Sequence, residues 1–114
     1  MNQINYHNRK FRGRTNSPNG EVSGQTTFTY YQEGSTLFGT YSGGTIDRGD
    51  LLGTVNPDSS LTFVYHHKSL DGTIHAGQCN SIPTYDEKGR LVLQERWQWF
   101  TGDGSTGYSE VEEI

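Results

Sequence analysis

The ten residues from Leu91 to Phe100 alternate between two kinds of side chain along their whole length. The odd-numbered positions are apolar except for Glu95, and they include Trp97 and Trp99, which are the two tryptophans of the chain. Successive side chains of a β-strand point to opposite faces, so this alternation predicts a strand with one buried face. A carboxylate on a buried face needs either a structural partner or a role in a binding site.

The composition of the chain favours strands and turns over helices. The 114 residues include 15 Gly and seven Tyr, and hydrophobic residues of all kinds make up only 30% of the chain while aromatic residues make up 12%. A core with so few aliphatic side chains has to use Tyr, Phe and Trp, which are strand-forming residues. A chain of this length forms one domain, which we expect to span residues 1–114.

The charge of the chain limits its partners. The net charge of −4 at pH 7 argues against a nucleic-acid partner, because phosphate contacts need a basic face. The basic residues Arg9, Lys10, Arg12 and Arg14 form either a solvated strand face or a small anion-binding patch.

The single cysteine, Cys79, excludes an internal disulfide, and we expect it to be buried or at a strand edge. No stretch has the apolar length of a signal peptide or a membrane span, so we expect a cytoplasmic protein with no membrane partner.

Eight segments have the composition of strands and are separated by turn signals. They are residues 5–15, 22–32, 36–46, 50–56, 61–67, 73–81, 91–100 and 106–114. Short connections without a helical crossover force neighbouring strands to be antiparallel, and a meander of eight such strands can close into a barrel without exposed edges. We therefore predict an all-β fold, a single antiparallel up-and-down β-barrel of about eight strands. Its interior would have room for side chains and one small ligand.

The residues at the turns predict local details of the strand pairing. A two-residue turn at residues 33–34 would pair Tyr30 with Leu37 and would put both on an inward face with Phe28 and Tyr41.

Glycine and proline predict where other strands bend or end. The glycine pair at residues 43–44 indicates a bend or bulge inside the third strand, and residues 47–49 would then reverse the chain. Pro83 is expected to close the sixth strand.

Several phrases of the sequence resemble a family of small bacterial proteins. The phrases lie at residues 16–22, 40–44, 95–99 and 109–114, and the Trp97-Gln98-Trp99 phrase is the most specific of them. The family is grouped with the avidin-like, calycin-type barrels, and the resemblance covers nearly the whole chain. It implies an avidin-like or lipocalin-like barrel with a central ligand cavity.

Proteins of this family often carry the label N-acetylglutamate synthase in genome annotation. Acetyl transfer from acetyl-CoA usually needs a pyrophosphate-binding turn that opens a helix. The sequence has neither the glycine spacing of such a turn nor a convincing helix. We therefore expect no cofactor, and we favour a binding protein of unknown physiological role over this enzyme.

The predicted inward faces carry a set of aromatic and polar residues that either fill the core of the barrel or contact a ligand. The two roles are compatible, because ligand pockets are mostly apolar with a few placed polar groups. Paired Trp rings would stack on a planar or hydrocarbon ligand, and Tyr hydroxyls and a histidine would fix its orientation. The candidate ligand-binding residues are Tyr30, Tyr41, Phe63, Tyr65, His67, Glu95, Trp97 and Trp99.

The surroundings of Glu95 would distinguish between the possible functions. Burial disfavours its charge unless a partner compensates. An Arg, a Tyr or a backbone amide beside it would make it structural, whereas an open position would make it a ligand anchor or a general base with a raised pKa. The leading hypothesis is a barrel that binds a small hydrophobic or aromatic molecule. The alternatives are an isomerase-type or cyclase-type enzyme with Glu95 as base, and a homo-oligomeric or structural module whose interface is the Trp face or the Val92/Phe100 face.

The histidines could supply a metal site only in a particular register. Adjacent His66 and His67 point to opposite faces of a strand. A two-residue turn at Asp71-Gly72 would put His75 on the His66 face, and a shift of one residue would put it opposite His67. Because a metal site needs three or four ligands at fixed distances, we predict no metal.

Overall fold

The computed structural model describes residues 3–114, and its secondary structure consists of eight β-strands with no helix among these residues. The strands are β1 Arg9–Asn16, β2 Thr27–Glu33, β3 Thr36–Gly43, β4 Ile46–Val55, β5 Leu61–Ser69, β6 Ile74–Tyr85, β7 Leu91–Trp99 and β8 Thr106–Glu113.

The eight strands form a closed antiparallel barrel. Each strand pairs with its neighbours in chain order, and β8 pairs with β1. The predicted all-β up-and-down barrel is confirmed. In β7 the side chains of Leu93, Glu95 and Trp97 are 0%, 5% and 8% exposed. The face of β7 that carries Leu93, Glu95 and Trp97 therefore points into the barrel, as predicted.

The hairpin between β2 and β3 differs in register from the prediction. Its turn is at residues 34–35, so Tyr30 pairs with Gly39 and not with Leu37. Primed hairpin turns need positive φ at their first position, which Gly34 supplies at +59° and a glutamate there would not. Because every partner shifts by two residues, each side chain keeps its face, and the predicted inward set is buried.

The turn between β3 and β4 lies at the glycine pair, and the prediction of a turn at residues 47–49 is wrong. Gly43 and Gly44 have φ values of +111° and +67°, which other residues rarely adopt. Residues 47–49 belong to β4, whose pairing with β5 shifts register between Ile46 and Arg48. The pairing of β3 with β4 also shifts register between Tyr41 and Gly43, so the predicted irregularity is present, and Gly44 with Thr45 forms the turn that reverses the chain.

β6 continues past Pro83 to Tyr85, so the predicted end of this strand is wrong. Pairing with β5 stops at Ser81, whereas pairing with β7 continues through Pro83 opposite Leu93. Beyond Ser81, β6 has a strand partner on one side only. Proline lacks a backbone N–H, and the unpaired side of a strand tolerates this loss.

One end of the barrel is closed by the segment before β1. Residues 5–8, which the sequence predicted as strand, cross the opening instead. Tyr6 is fully buried there, and its hydroxyl donates a hydrogen bond to the backbone oxygen of Ser59 at 2.7 Å. The backbone N–H of Tyr6 donates to Oε1 of Gln32 at 2.9 Å. We call this closed end the floor of the barrel.

The opposite end is covered by the loop that joins β1 to β2. Residues 22–26 were predicted as strand, but β2 begins only at Thr27. The loop is held by side-chain bonds to its own backbone and to the neighbouring turn: Asn16 Nδ2 donates to Val22 O at 2.8 Å, and Thr26 Oγ1 donates to Gly43 O at 3.1 Å. We call this end the mouth of the barrel.

The arginines of β1 form ion pairs with β8 on the outer side of the barrel. Arg9 contacts Glu113 at 3.0 Å, and Arg12 contacts Glu112 at 3.0 Å. Arg90 also contacts Glu112, at 2.7 Å. The pairs of Arg9 and Arg12 link the first strand to the last, although partly exposed ion pairs each contribute little to stability.

The exposure of Val92 and Phe100 shows whether they can form the predicted outer interface together. Phe100 is 58% exposed, but Val92 is only 2% exposed, so these two side chains do not form an open face together. Homo-oligomer formation stays a prediction. Among residues 3–114 no helix is long and apolar enough to cross a membrane, and the cytoplasmic location stays a prediction.

Candidate functional site

A cavity of about 50 Å³ lies inside the barrel below the mouth. The loop between β1 and β2 contributes Glu21 and Val22 to its wall. Seven of the eight candidate residues line it, and they are Tyr41, Phe63, Tyr65, His67, Glu95, Trp97 and Trp99.

The two tryptophans form one continuous aromatic wall of this cavity. Residues two apart on a strand share a face, and the ring centroids of Trp97 and Trp99 are 5.4 Å apart. Trp99 also meets Tyr65 in an edge-to-face arrangement at 5.7 Å, and its Nε1–H donates to Asn19 O at 3.2 Å. The wall therefore extends from the interior to the loop at the mouth.

Four of the cavity aromatics each lie opposite a glycine on the next strand. A Cβ atom at Gly107 would lie 2.4 Å from the ring of Trp97, and one at Gly49 would lie 2.4 Å from the ring of Tyr41. The glycines opposite Tyr41, Tyr65 and Trp97 leave space that these side chains occupy, whereas a Cβ at Gly53 would meet the backbone of Thr62 and Phe63. The pairs are Tyr41 with Gly49, Phe63 with Gly53, Tyr65 with Gly77 and Trp97 with Gly107.

Glu95 is buried on the cavity wall between two serines. Ser109 Oγ donates to Glu95 Oε1 at 3.0 Å, and Ser81 Oγ donates to Glu95 Oε2 at 3.3 Å. The strand register explains these bonds, because Ser81 and Ser109 lie directly opposite Glu95 on β6 and β8. The expected structural partners were an Arg, a Tyr or a backbone amide, and the structure has two hydroxyl groups instead.

Burial controls the ionisation of Glu95. It raises the pKa of the carboxyl group to about 7, although the hydrogen bonds from Ser109 and Ser81 act in the opposite direction. Among residues 3–114, Glu95 forms no ion pair. Near neutral pH the group is therefore present in both protonation states.

Tyr30 is the candidate residue that does not line the cavity. It lies deeper, toward the floor, and packs against Phe11 and Phe28 with ring centroids 5.1 and 6.2 Å away. Its hydroxyl group is buried without a hydrogen-bond partner. Burial and the nearby Glu95 carboxylate hold the pKa of this hydroxyl well above its ordinary value.

A chain of hydrogen bonds joins the cavity to the mouth. The Tyr41 hydroxyl lies 2.8 Å from His67 Nδ1, and His67 Nε2 lies 3.0 Å from Glu21 Oε1. Because a carboxylate only accepts, Nε2 carries the proton, and Nδ1 of a neutral imidazole then accepts from Tyr41. His75 Nε2 is 3.1 Å from the same Glu21 oxygen, and Ser69 Oγ donates to Glu21 Oε2 at 2.8 Å. Glu21 thus fastens the loop to β5 and β6.

The environment of these groups shifts their protonation. Burial lowers the pKa of His67, and the hydrogen bond with Glu21 opposes that effect only in part. For Glu21, burial raises the pKa, but hydrogen bonds from His67 and Ser69 outweigh it and leave the pKa below its ordinary value. The cluster therefore favours a neutral imidazole beside an ionised carboxylate.

Of the two strand registers considered for the histidines, the structure has the one that puts His75 opposite His67. His67 pairs directly with His75, and their ring centroids are 5.4 Å apart. Glu21 Oε1 accepts a hydrogen bond from His67 and lies 3.1 Å from Nε2 of His75. In the part of the chain that the structure describes, no group of three or more His, Cys, Asp or Glu side chains could hold a metal ion.

Sequence reasoning missed three polar residues of the site, Glu21, Ser81 and Ser109. Alternation within a strand predicts which face a residue occupies but not which residue lies opposite it. Glu21 comes from a loop, and the path of a loop cannot be predicted from a periodic pattern.

Cys79 lines the cavity and is buried, and burial raises the pKa of its thiol well above the ordinary value.

A family model described as avidin-like protein matches residues 4–114. The chain belongs to the avidin-like protein family. This confirms the resemblance seen in the sequence and agrees with the eight-stranded barrel. An avidin-like barrel points to small-molecule binding in general. Neither a curated protein nor a solved structure matches the chain.

Proposed function

We propose that this avidin-like barrel binds a small molecule with a hydrophobic or aromatic body inside the barrel. The observation that carries the proposal is the cavity whose wall combines Trp97, Trp99, Phe63 and Tyr65 with a few placed polar groups. Natural ligand pockets have this composition, in which the apolar wall supplies affinity and the polar groups fix orientation.

The size of the cavity determines how a ligand must enter. An apolar cavity of about 150 Å³ accommodates one benzene molecule, whereas this cavity measures about 50 Å³. A ligand that contains a ring therefore needs more space than the closed barrel offers. Such a ligand would have to displace the wall at the mouth, which Glu21 and Val22 of the loop form with the ring of Trp99.

The proposal is tested by incubation of the protein with a metabolite extract, followed by native mass spectrometry. The expected result is a bound small molecule that also quenches the fluorescence of the wild-type tryptophans. Trp97→Ala and Trp99→Ala should each lose at least about tenfold in affinity, because each removes a large buried contact. Tyr108→Ala is the control, because Tyr108 is 63% exposed on the outer surface.

Mass spectrometry reads binding directly, so the loss of a fluorophore does not disturb the comparison. Retention by both tryptophan variants of every molecule that the wild type binds would contradict the pocket assignment. Equal losses in the Tyr108 variant would show that the effect is not local to the cavity.

A second candidate is an enzyme that moves a proton within a bound molecule. The observation that favours it is a buried carboxyl group with a pKa of about 7, the range in which a group both accepts and returns a proton at neutral pH. Glu95 would remove a proton from the bound molecule, and the Tyr41–His67 pair would donate one at another atom. Unchanged turnover of the identified ligand by Glu95→Gln would exclude this reaction.

A further inference from the structure

The carboxylate of Glu95 has hydrogen-bonding capacity that the protein does not fill. An ionised carboxylate has about four acceptor positions on its two oxygens. The serines Ser81 and Ser109 occupy one position on each oxygen. Glu95 is only 5% exposed and lies on the cavity wall, so the remaining positions are directed into the barrel and not toward bulk water.

No positive charge within the described residues compensates Glu95. The ionisable groups that feel its charge are a thiol and three phenols, which come from four different strands. Each is an acid that is neutral when protonated, and burial holds each pKa above its ordinary value. They are Tyr30, Tyr41, Tyr65 and Cys79.

This environment selects among ligand groups. A buried carboxylate without a cation is costly, and a ligand that brings N–H donors with positive charge removes that cost. A ligand carbonyl would instead need Glu95 in its protonated form. The hydroxyl of Tyr30, which lies toward the floor, is a buried polar group without a hydrogen-bond partner.

We propose that the ligand carries a cationic nitrogen group, such as an amidinium, a guanidinium or a protonated amine, and that this group pairs with Glu95. The apolar body of the ligand then lies against Trp97 and Phe63 and extends toward the mouth. This inference rests on the proposed binding function and adds the chemical class of the ligand.

The test compares two molecules of nearly the same shape, benzamidinium and benzamide. Benzamidinium carries a planar fork of N–H donors with positive charge, whereas benzamide is neutral and has a carbonyl oxygen in place of one nitrogen. Titration calorimetry of the wild-type protein at pH 8 should give at least about tenfold tighter binding of benzamidinium, since Glu95 is mainly ionised there. Glu95→Gln should bind the two molecules within about threefold of each other.

Glu110→Gln is the matched control, because Glu110 follows Ser109 in β8 but contacts Thr15 and Gln94 on the outer surface. It makes the same change of charge and should keep the wild-type preference. Equal binding of both molecules to the wild type would overturn the inference and leave the proposed binding function intact. Absence of saturable binding of either molecule would count against both.

The pH dependence gives a second readout. Between pH 5.5 and 8.5 the affinity of the wild type for benzamidinium should rise at least about tenfold, because the fraction of ionised Glu95 rises across its pKa of about 7. Burial lowers the pKa of His67 at the mouth, and the comparison with Glu95→Gln separates its protonation from that of Glu95. A rise of the same size in that variant would overturn the assignment to Glu95.

Discussion

At the scale of single residues, Glu95 is the side chain whose position is hardest to explain by stability alone. A carboxyl group at 5% exposure with two serine donors is less favourable than a packed apolar side chain of the same size. Its neighbours on the same face, Leu93 and Trp97, show that the strand accommodates apolar residues there. A local feature that costs stability is typical of a functional site.

This cost predicts how stability depends on pH. Glu95 has a pKa of about 7 in the folded protein against an ordinary value of 4.5, so the folded state holds its proton more strongly than the unfolded state. Its contribution is present at low pH and is lost as the pH rises from about 4.5 to above 7. We expect Glu95→Gln to gain, relative to wild type, on the order of 3 kcal/mol in unfolding free energy between pH 4.5 and pH 8.

Urea unfolding of both proteins at several pH values measures this difference. The other titratable groups, His67 and Glu21 among them, are common to both proteins and cancel in the comparison. A difference in unfolding free energy that does not change with pH would show that the carboxyl group has an ordinary pKa in the folded state.

The position of a site residue could be predicted where the sequence pattern of its strand was clear. The alternation in residues 91–100 was enough to place Glu95 and Trp97 on the inner face, where the structure has them. The partners of Glu95 were not predictable, because Ser81 and Ser109 become neighbours only through the registers of two separate strand pairs. A serine in a strand has no pattern that distinguishes an inner hydrogen-bond donor from a solvated side chain.

At the scale of elements, the loop between β1 and β2 is the part of the chain that decides access to the cavity. Its attachment to the barrel depends on Glu21, whose carboxylate accepts hydrogen bonds from His67 and Ser69 on β5 and lies 3.1 Å from Nε2 of His75 at the start of β6. Trp99 adds one bond from its indole N–H to the backbone of Asn19. Loops with few anchors open more readily than paired strands.

Removal of the Glu21 carboxylate should therefore loosen the loop without opening the barrel. We expect Glu21→Ala to lose about 1 kcal/mol in unfolding free energy, a modest value because the carboxylate is partly exposed. Amide exchange of residues 17–26, measured by mass spectrometry, should accelerate at least about fivefold while that of β4 and β5 stays the same. Acrylamide should also quench tryptophan fluorescence more strongly, since Trp99 loses its cover.

Glu87→Ala is the matched control, because Glu87 is an exposed residue of the turn between β6 and β7 at the floor end. It changes the net charge in the same way and should leave exchange in the loop unchanged. Unaltered exchange of residues 17–26 in Glu21→Ala would mean that bonds other than those of Glu21 hold the loop.

At the scale of the whole molecule, the closed barrel was predictable because no connection is long enough for a helical crossover, and all but the loop between β1 and β2 are short. Strands joined by a few residues must pair with their chain neighbours, and eight of them leave β1 and β8 as the last edges to join. The predictions that were wrong concern the positions at which strands begin or end. The end of β6 depends on Ser81 being the last residue that pairs with β5, a tertiary fact that the local signal of Pro83 does not contain.

The same closure predicts where the barrel opens first. The ladder between β1 and β2 contains four residue pairs, whereas the ladders between β4 and β5 and between β6 and β7 contain nine each. β1 is also held by β8, through five residue pairs and the ion pairs of Arg9 and Arg12. Opening of the short ladder therefore separates β1 from β2 and leaves β1 attached to β8.

Native-state amide exchange at low denaturant concentration measures this order. Amides that donate across the β1–β2 ladder, within residues 9–12 and 27–30, should exchange at least about tenfold faster than amides of the β4–β5 and β6–β7 ladders, because fewer bonds must break to expose them. Higher salt should weaken the ion pairs between β1 and β8 and accelerate exchange in β1 as well. Slower exchange in the β1–β2 ladder than in the two long ladders would show that packing of Phe11 and Tyr30 in the floor, and not the length of the ladder, sets the stability of this seam.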